Sequence, residues 1–390
     1  MSQASGIANQ ILQAVRAAIP SARGNVALHE PSFKGREEEY VLDCLRTGWV
    51  SSVGAYVDRF EVMLSEYTGA RHAIATCNGT AALHVALLLA DVQPNDEVLI
   101  PTLTFVATAN AVSYCSAVPH FVDSAEETLG IDPVALEGYL EIIAKRAGDV
   151  WINRSTGRRL RAVVPMHTFG HPVNVEGLQK VCDRYGLAMV EDAAESLGST
   201  YRGVHTGNFG RVAALSFNGN KIITTGGGGA ILTNDPELGR RAKHLTTTAR
   251  VAHRWELTHD SIGFNYRLPN INAALGCAQM EVLPSFLARK RDLAHRYKDA
   301  FSSVPVVRFV CEPAETKSNY WLNAILLPES CAGARDFVLQ SLNEAGFMAR
   351  PCWTLMHKLP MYAQCPRAPL PIAEAIERCL LNLPSSATLN

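Results

Sequence analysis

The sequence predicts an α/β fold with a mostly parallel central sheet in a large domain and a smaller α+β domain towards the C-terminus. Two observations lead to this prediction. From about residue 70, short apolar runs alternate with helical patterns, as in sheets whose parallel strands are joined by helices. In addition, 47% of the 390 residues are hydrophobic and 19% are charged, which is enough apolar surface for a large core.

The alternation can be followed element by element. The predicted strands are His72–Thr76, Glu97–Ile100, Val118–Val122, Arg161–Pro165, Leu187–Val190, Ala213–Phe217 and Gly229–Thr233. The predicted helices between them are Thr80–Val92, Phe105–Cys115 and Val175–Tyr185. Ligands of such sheets bind beyond the carboxyl ends of the strands, so the residues that follow each run are the first candidates for a site.

The chain divides into three predicted parts. Residues 1–26 form an N-terminal helical extension, residues 27–274 the large domain and residues 275–390 the small domain. Within the small domain we expect a long helix, a strand and a second helix, at Ala278–Phe301, Trp321–Leu327 and Arg335–Ala345. The polar stretch 145–161 is expected to be a surface excursion of the large domain.

Charge and cysteine content exclude several classes of function. The chain has 36 basic and 37 acidic residues, so no basic excess indicates binding to nucleic acid or to an anionic membrane. No run of eighteen apolar residues occurs, and no membrane span is expected. The ten cysteines are scattered without a C-x-x-C pair or a secretory signal, which predicts reduced thiols in a cytoplasmic protein.

A lysine and an acid at the ends of two predicted strands indicate the chemistry. Lys221 follows the run Ala213–Phe217, and Asp192 ends an earlier apolar run. A lysine amine forms a Schiff base with an aldehyde, and a carboxylate keeps a pyridine nitrogen protonated so that the ring accepts electrons. Both groups are what the cofactor pyridoxal phosphate (PLP) requires.

Three further places in the chain fit the same cofactor, and each has an ordinary alternative. Gly79 and Thr80 open a helix after a strand, where backbone N–H groups bind phosphate; alternatively they form a simple capped turn. Ser216 offers a hydroxyl to the same phosphate or is an ordinary buried serine. Phe105 stacks on a flat ring or belongs to the core.

The acids and histidines also have two interpretations each. Asp192 could cap a helix that starts at Ala193, with Glu195 at the spacing of a capping box. In the functional interpretation, Glu195 contacts the phenolic edge of the cofactor or the substrate. His167 and His171 have an i, i+4 spacing, but Gly170 between them argues against a helix, so we expect no metal site and place His167 in the ligand cavity.

Several long stretches resemble the PLP-dependent sugar-nucleotide aminotransferases of the DegT type, which have the aspartate-aminotransferase (type I PLP) fold. The resemblance runs from about Ala27 to Ser386. It is carried by the stretches Gly48–Gly54, Leu103–Cys115, Met166–Pro172, Glu191–Gly198, Ser216–Gly229 and Asn319–Asn323. The sequence is most similar to the branch that acts on UDP-4-keto-6-deoxy-N-acetylglucosamine, in bacillosamine and legionaminic acid synthesis.

The resemblance implies roles for individual residues. Lys221 would bind PLP and move protons, and Asp192 would pair with the pyridinium nitrogen. The phosphate would be held by Gly79, Thr80 and Ser216, and the ring would stack on Phe105. Asn265 would reach the cofactor phosphate of a second subunit, which makes the protein a homodimer with shared active sites. The amino donor would be L-glutamate.

The sugar contacts are harder to assign. The candidates are Ser52, Tyr56, His167, Asn220, His253, Arg254, Trp353, His357 and Tyr362. Two enzymatic alternatives are amination of GDP-4-keto-6-deoxymannose, as in perosamine synthesis, and amination at C3 of a sugar. An alternative of a different class is a non-catalytic regulatory protein with the PLP fold. The dehydratases related to this family replace the lysine with histidine, and Lys221 argues against them.

Overall fold

The computed structural model describes residues 3–22 and 24–389. Residues 1, 2 and 23 of the predicted extension and residue 390 of the predicted small domain lie outside the described residues. The central sheet has seven strands, namely β1 (His72–Thr76), β2 (Glu97–Pro101), β3 (Val118–Val122), β4 (Leu160–Val163), β5 (Ala188–Asp192), β6 (Val212–Ser216) and β7 (Gly229–Thr233).

The sheet is mixed but mostly parallel, as predicted. Its strand order is β1-β7-β6-β5-β4-β2-β3. Strand β7 runs antiparallel to both of its neighbours, and the remaining pairs are parallel. The register pairs Gly229 with Thr76 on one side and with Ser216 on the other. The carboxyl ends of β1, β5 and β6 therefore meet at one edge, where the candidate cofactor residues follow.

Helices cover the central sheet and make up much of the C-terminal part of the molecule. They are α1 (Gln3–Ala18), α2 (Glu37–Thr47), α3 (Ala55–Thr68), α4 (Gly79–Leu89), α5 (Val106–Tyr114), α6 (Pro133–Ile143), α7 (Val175–Tyr185), α8 (Pro236–Thr246), α9 (Asn270–Phe301), α10 (Arg335–Glu344) and α11 (Pro371–Cys379). Helix α4 ends three residues earlier than predicted. The chain turns at Asp91, whose φ of 61° is left-handed and incompatible with a continuing helix.

Helix α9 begins eight residues before its predicted start. Its first two turns are rich in small buried residues, Ala273 and Ala274 among them, which pack closely against α2 and α3. The predicted boundary between residues 274 and 275 thus falls inside this helix. Its later residues, from Leu293 to Phe301, belong to a different core, which the helix shares with α1.

A smaller antiparallel sheet lies beside this second core. Its strands are β8 (Arg308–Phe309), β9 (Asn323–Leu326), β10 (Arg350–Pro351) and β11 (Leu380–Leu383), in the order β8-β9-β11-β10. The apolar face of α1 is buried here, with Ile11 and Val15 fully covered, next to Tyr297 of α9. The N-terminal extension therefore serves to complete a hydrophobic core. Short strands outside the two sheets lie at 144–147, 150–153, 200–201, 204–205 and 316–317.

The stretch predicted as a surface excursion contains a regular hairpin, 144–147 with 150–153. The hairpin is attached to the sheet through Glu97, which is fully buried. The Glu97 carboxylate accepts hydrogen bonds from Asn153 and Thr156 and pairs with His120 of β3 at 2.8 Å. Across residues 3–22 and 24–389, no helix combines the length and the apolar character needed to cross a bilayer.

Candidate active site

The amine of Lys221 lies between a carboxylate and an aromatic ring. The lysine follows β6 in a turn and its side chain is 12% exposed. Its Nζ donates a hydrogen bond to Oε1 of Glu195 at 3.2 Å. The same nitrogen lies 4.0 Å from the centre of the Trp321 ring. The amine is thus enclosed between a hydrogen-bond acceptor and the face of an indole, which attracts cations.

Asp192 ends β5 with a buried carboxylate. Its Oδ2 accepts a hydrogen bond from Oγ1 of Thr108 at 2.7 Å, and its Oδ1 accepts one from the backbone N–H of Ala194 at 3.2 Å. Burial raises the pKa of Asp192, while the Thr108 bond lowers it. The chain after Asp192 forms turns and no helix, so the interpretation of this acid as a helix cap is wrong. A buried carboxylate of this kind favours a cationic partner.

Glu195 is almost completely buried beside Lys221. Its Oε2 accepts a hydrogen bond from the backbone N–H of Phe169 at 2.9 Å. Burial raises the pKa of Glu195 to about 7, against the opposing effect of the Lys221 charge. The predicted capping box does not form, since no helix follows. The side chain can therefore exchange a proton near neutral pH at the position of the lysine amine.

The turn before α4 faces Ser216. Asn78 caps the helix by accepting a hydrogen bond from the N–H of Ala81 at 2.8 Å. A side chain at Gly79 would lie 2.8 Å from Cβ of Ser216, and one at Gly229 would lie 2.6 Å from the backbone carbon of Asn78. Only glycine allows this approach. The N–H groups of Gly79 and Thr80 lie in the first helical turn, where intrahelical acceptors are lacking and anions bind.

An exposed aromatic residue stands at the start of α5. Phe105 is 49% exposed although it follows a fully buried strand. Its ring centre lies 6.3 Å from that of Trp353, which in turn lies 5.1 Å from Phe169. Phe169 is fully buried behind these two rings, and the exposed Phe105 ring is the face on which a flat heterocycle can stack.

These groups together fit PLP. The buried Asp192 carboxylate gains a counter-charge from a protonated pyridine nitrogen. The helix start at Gly79 and Thr80 offers N–H donors to a phosphate, and Lys221 offers an amine within the same edge of the sheet. In the protein alone, each of these groups keeps hydrogen-bonding capacity or charge that the cofactor would use.

His167 is not in the ligand cavity. The residue is fully buried, its Nε2 donates to Oε2 of Glu191 at 3.0 Å, and its Nδ1 accepts from the N–H of Val173 at 3.3 Å. Glu191 also accepts backbone N–H groups of the loop 207–210. His167 therefore orders this loop, and its closed hydrogen bonding does not support the predicted substrate contact.

His171 is also fully buried, edge-on to Tyr320 at 5.2 Å between ring centres. Burial lowers its pKa to about 4, so it is neutral. The segment between the two histidines is a short 3-10 turn rather than an α-helix. The part of the chain that the structure describes contains no cluster of three or more metal-binding side chains.

Other predicted substrate contacts are occupied by the protein itself. Nδ1 of His357 pairs with Oγ1 of Thr102 at 2.8 Å, and the hydroxyl of Tyr362 is bonded to Asn110. Tyr56 packs against Tyr40 with 5.3 Å between ring centres. The side chain of Asn220 is exposed, and its carbonyl accepts the indole N–H of Trp321 at 2.6 Å.

Three further predicted sugar contacts and the predicted cofactor residue Asn265 lie in a separate cavity. Ser52, His253, Arg254 and Asn265 line a cleft of about 840 Å³ together with Lys243 and Arg267. Among the described residues that line it, neither Lys221 nor Asp192 occurs. Within one protomer, then, the structure does not bring these four residues to the lysine.

Sequence reasoning missed three residues that shape the site. Thr108 donates a hydrogen bond to Asp192, and the ring of Trp321 lies against the amine of Lys221. The side chain of Asn319 is hydrogen-bonded to the backbone of Glu195 and to the backbone of Trp321, the two residues that enclose that amine. The available signal was the hydroxyl of Thr108, which lies three residues after Phe105 in a helix that follows a strand. The other two lie in the stretch Asn319–Asn323, which carried the family resemblance but gave no sign of a contact with Lys221.

Comparisons with known proteins agree with this geometry. The model of the DegT/DnrJ/EryC1/StrS aminotransferase family matches residues 31–390. This chain belongs to that family. It is 36% identical over 367 residues to a GDP-perosamine synthase of Caulobacter vibrioides, which covers 93% of this chain and 94% of that protein.

Two more relatives support the same class. The protein EpsN of Bacillus subtilis, whose name designates a pyridoxal phosphate-dependent aminotransferase, is 40% identical over 339 residues, with 86% of this chain and 84% of EpsN covered. The solved structure of Helicobacter pylori PseC, an aminotransferase of pseudoaminic acid biosynthesis, superposes with a TM-score of 0.85 at 28% identity, covering 94% and 95% of the two chains.

The family establishes that the chain is a PLP-dependent aminotransferase with the type I fold. The UDP-linked N-acetylglucosamine branch expected from the sequence is not singled out. The GDP-perosamine synthase among the relatives favours the alternative that we stated, a GDP-linked sugar.

Proposed function

We propose that this enzyme transfers the amino group of L-glutamate to the C4 ketone of a nucleotide-linked 4-keto-6-deoxy sugar, with GDP-4-keto-6-deoxymannose as the first candidate. The observation that supports the reaction is the meeting of Lys221, Asp192 and the Gly79–Thr80 turn at one sheet edge. The similarity over 93% of the chain to a GDP-perosamine synthase supports the sugar.

In this proposal each side chain has one task. PLP, when bound, supplies the electron sink that makes the carbon next to the amino nitrogen acidic. The Lys221 amine takes the α-proton from glutamate, and in the second half-reaction it returns a proton to C4 of the sugar. Asp192 would hold the proton on the ring nitrogen, and the hydrogen bond from Thr108 would favour the charged form of its carboxylate. Glutamate leaves as 2-oxoglutarate, so the amino group and the ketone oxygen are exchanged between the two substrates.

The anchoring groups follow from the same arrangement. Gly79, Thr80 and Ser216 would bind the phosphate, and Phe105 would cover one face of the ring. Glu195, with a pKa of about 7, would exchange protons with the amine 3.2 Å away. Its carboxylate would thus set the protonation of Lys221 between the two half-reactions.

The separate cavity supports a homodimer with shared sites. It holds Asn265 and the three predicted sugar contacts Ser52, His253 and Arg254, but not Lys221. Large apolar side chains on the bordering segments are exposed, with Trp255 at 77% and Ile262 at 86%. Surfaces of this kind usually bind another protein. We propose that a second copy supplies its Lys221 edge to this cavity.

The deciding experiment for the substrate is mass spectrometry of products from a panel of keto-sugar nucleotides. We expect the GDP-linked 4-keto-6-deoxymannose to gain an amine and lose its ketone oxygen. Preference for UDP-4-keto-6-deoxy-N-acetylglucosamine would instead support the bacillosamine or legionaminic acid branch. Amination of a 3-keto sugar alone would contradict amination at C4.

The addition of glutamate to the PLP-loaded protein distinguishes an enzyme from a regulatory protein with this fold. A regulator would bind PLP without loss of its visible absorbance on addition of glutamate. We also propose a cytoplasmic location, for which the ten scattered cysteines of the sequence, without a C-x-x-C pair, are the support.

A further inference from the structure

Trp321 forms one wall of the place where the Lys221 amine lies. The residue precedes β9 and is 4% exposed. Its ring centre is 4.0 Å from Nζ of Lys221, on the other side of which Glu195 lies at 3.2 Å. No role in the reaction follows for Trp321 from the residues discussed so far.

Hydrogen bonds at three points fix the position of this ring. The backbone N–H of Trp321 donates to Oδ1 of Asn319 at 2.8 Å. Its indole N–H donates to the carbonyl oxygen of Asn220, the residue before Lys221, at 2.6 Å. Its carbonyl oxygen accepts a hydrogen bond from Nζ of Lys290 at 3.0 Å. The ring is thus tied to the lysine turn itself.

Two of these partners, Lys290 and Asn319, are buried polar groups, whose burial costs free energy unless they are hydrogen-bonded. Lys290 of α9 is fully buried, and burial lowers its pKa well below the usual value. Its amine bonds the carbonyl oxygens of Trp321 and Ser385. The amide of Asn319 donates to the carbonyls of Glu195 and Leu197 at 2.8 and 2.9 Å. One side chain, Asn319, therefore fixes both walls around the Lys221 amine.

We propose that Trp321 is a positioning residue, whose indole face and Asn220 bond hold the free amine of Lys221 against Glu195 when the lysine is not joined to the cofactor. The lysine amine would be free from the first half-reaction, when glutamate takes its place on the cofactor, until the end of the second, when it would displace the aminated sugar. A long flexible side chain has several rotamers, and a fixed aromatic face that attracts its ammonium form reduces their number. This inference rests on the proposed role of Lys221.

The test uses the full-length protein without cofactor, so that it does not depend on turnover. The reactivity of Lys221 towards an amine-specific reagent is followed by mass spectrometry as a function of pH, with exposed Lys180 as the internal reference. In Trp321→Leu the ammonium form loses its aromatic partner. We expect the pH of half-maximal labelling at position 221 to fall by about one unit, since a desolvated cation–π contact contributes roughly one to two kcal/mol.

Two variants serve as matched controls. Trp321→Phe keeps an aromatic face but loses the bond to Asn220, and we expect at least half of the shift to be recovered. Trp151→Leu removes a tryptophan that packs on Tyr185, at 5.0 Å between ring centres, in the remote hairpin region. It should leave the labelling of Lys221 unchanged.

In the holoenzyme, Trp321→Leu should lower kcat more than tenfold with little change in the KM for glutamate. An unchanged labelling profile in Trp321→Leu would overturn the proposal, as would equal shifts in the Leu and Phe variants. Borohydride trapping of PLP on Lys221 tests the proposed function separately, because the labelling result does not require the cofactor.

Discussion

Thr108 donates a hydrogen bond of 2.7 Å from its Oγ1 to Oδ2 of Asp192, and so joins the first turn of α5 to the carboxyl end of β5. The bond opposes the effect of burial, which raises the pKa of this aspartate. The Thr108 bond therefore favours the charged form of the carboxylate, which is the form that a pyridinium nitrogen requires.

Replacing Thr108 with Val should weaken PLP binding about tenfold, because a hydrogen bond to a charged group contributes roughly 1.5–3 kcal/mol. The pKa of Asp192 would rise, so the acidic limb of the kcat profile should move to higher pH. Equilibrium dialysis and pH–rate measurements check both effects. Thr108→Ser retains the hydroxyl and should behave like the native enzyme, whereas equal defects in both variants would contradict the role of the bond.

Lys221→Ala should lower kcat by at least about 10³-fold, because the variant lacks the group that moves protons. PLP should still bind through the phosphate turn and Asp192, but borohydride should no longer attach it to the chain. Peptide mass spectrometry of the reduced protein measures this. Lys180→Ala on the surface is the control, and trapping at another lysine in the native protein would refute the assignment.

Glu195→Gln should change how stability depends on pH. Its folded pKa of about 7 lies above the usual 4.5, so the native state binds more protons between these values and this contribution to stability is lost as pH rises through 7. The slope is at most about 1.4 kcal/mol per pH unit. Urea titrations of the cofactor-free protein at pH 5 and pH 8 should show the variant gaining stability relative to the native protein at the higher pH.

A neutral glutamine at position 195 also removes the carboxylate next to Lys221. The alkaline half of the pH–rate profile should therefore change as well, while PLP affinity is retained. A variant with the same pH dependence of stability as the native chain would show that Glu195 titrates normally in the folded protein.

Mixing two inactive variants tests the shared active site. In a dimer of Lys221→Ala with Asn265→Ala, one of the two sites contains both native residues if Asn265 reaches across the interface. Random exchange of subunits should restore about a quarter of native activity. The pair Lys221→Ala with Asp192→Asn is the control and should stay inactive, because both changes affect residues of the same protomer edge. Absence of recovery in the first mixture would place each site within one chain.

Ile11→Ala should destabilise the protein by about 2–5 kcal/mol, because the side chain is fully buried where α1 meets α9. Denaturant unfolding measures the loss, and Gln13→Ala on the exposed face of the same helix is the control. We expect kcat per folded molecule to be unchanged. A loss of kcat without a loss of stability would give the extension a catalytic role that its position does not suggest.

Much of the central sheet could be predicted from local patterns. The strands β1, β3 and β7 have the predicted bounds, because each is a short apolar run between turn residues. Helix α9 was predicted too short, since small residues at its start conceal a buried helical face. Local periodicity thus identifies elements well when the buried residues are large.

The site was predictable only where its residues stand at strand ends. Asp192 ends β5 and Lys221 follows β6. These strands are parallel neighbours, so the approach of the two residues follows from topology. His167 was misplaced because its partner Glu191 lies 24 residues away and nothing in the local sequence shows that pairing. Trp321 and Lys221 are a hundred residues apart. Their contact depends on the position of the second hydrophobic core and cannot be seen in the local sequence of either residue.

Helix α9 belongs to both hydrophobic cores, since its first turns pack with α2 and α3 and its last turns pack with α1. Dividing the chain at residue 275 would therefore leave two fragments, each of which exposes to water residues of α9 that are buried in the intact protein. Expressed singly, the two pieces should therefore aggregate, and we expect the intact chain to unfold in one cooperative transition. Transplanting the C-terminal part onto another enzyme would require transferring the whole of α9 with it.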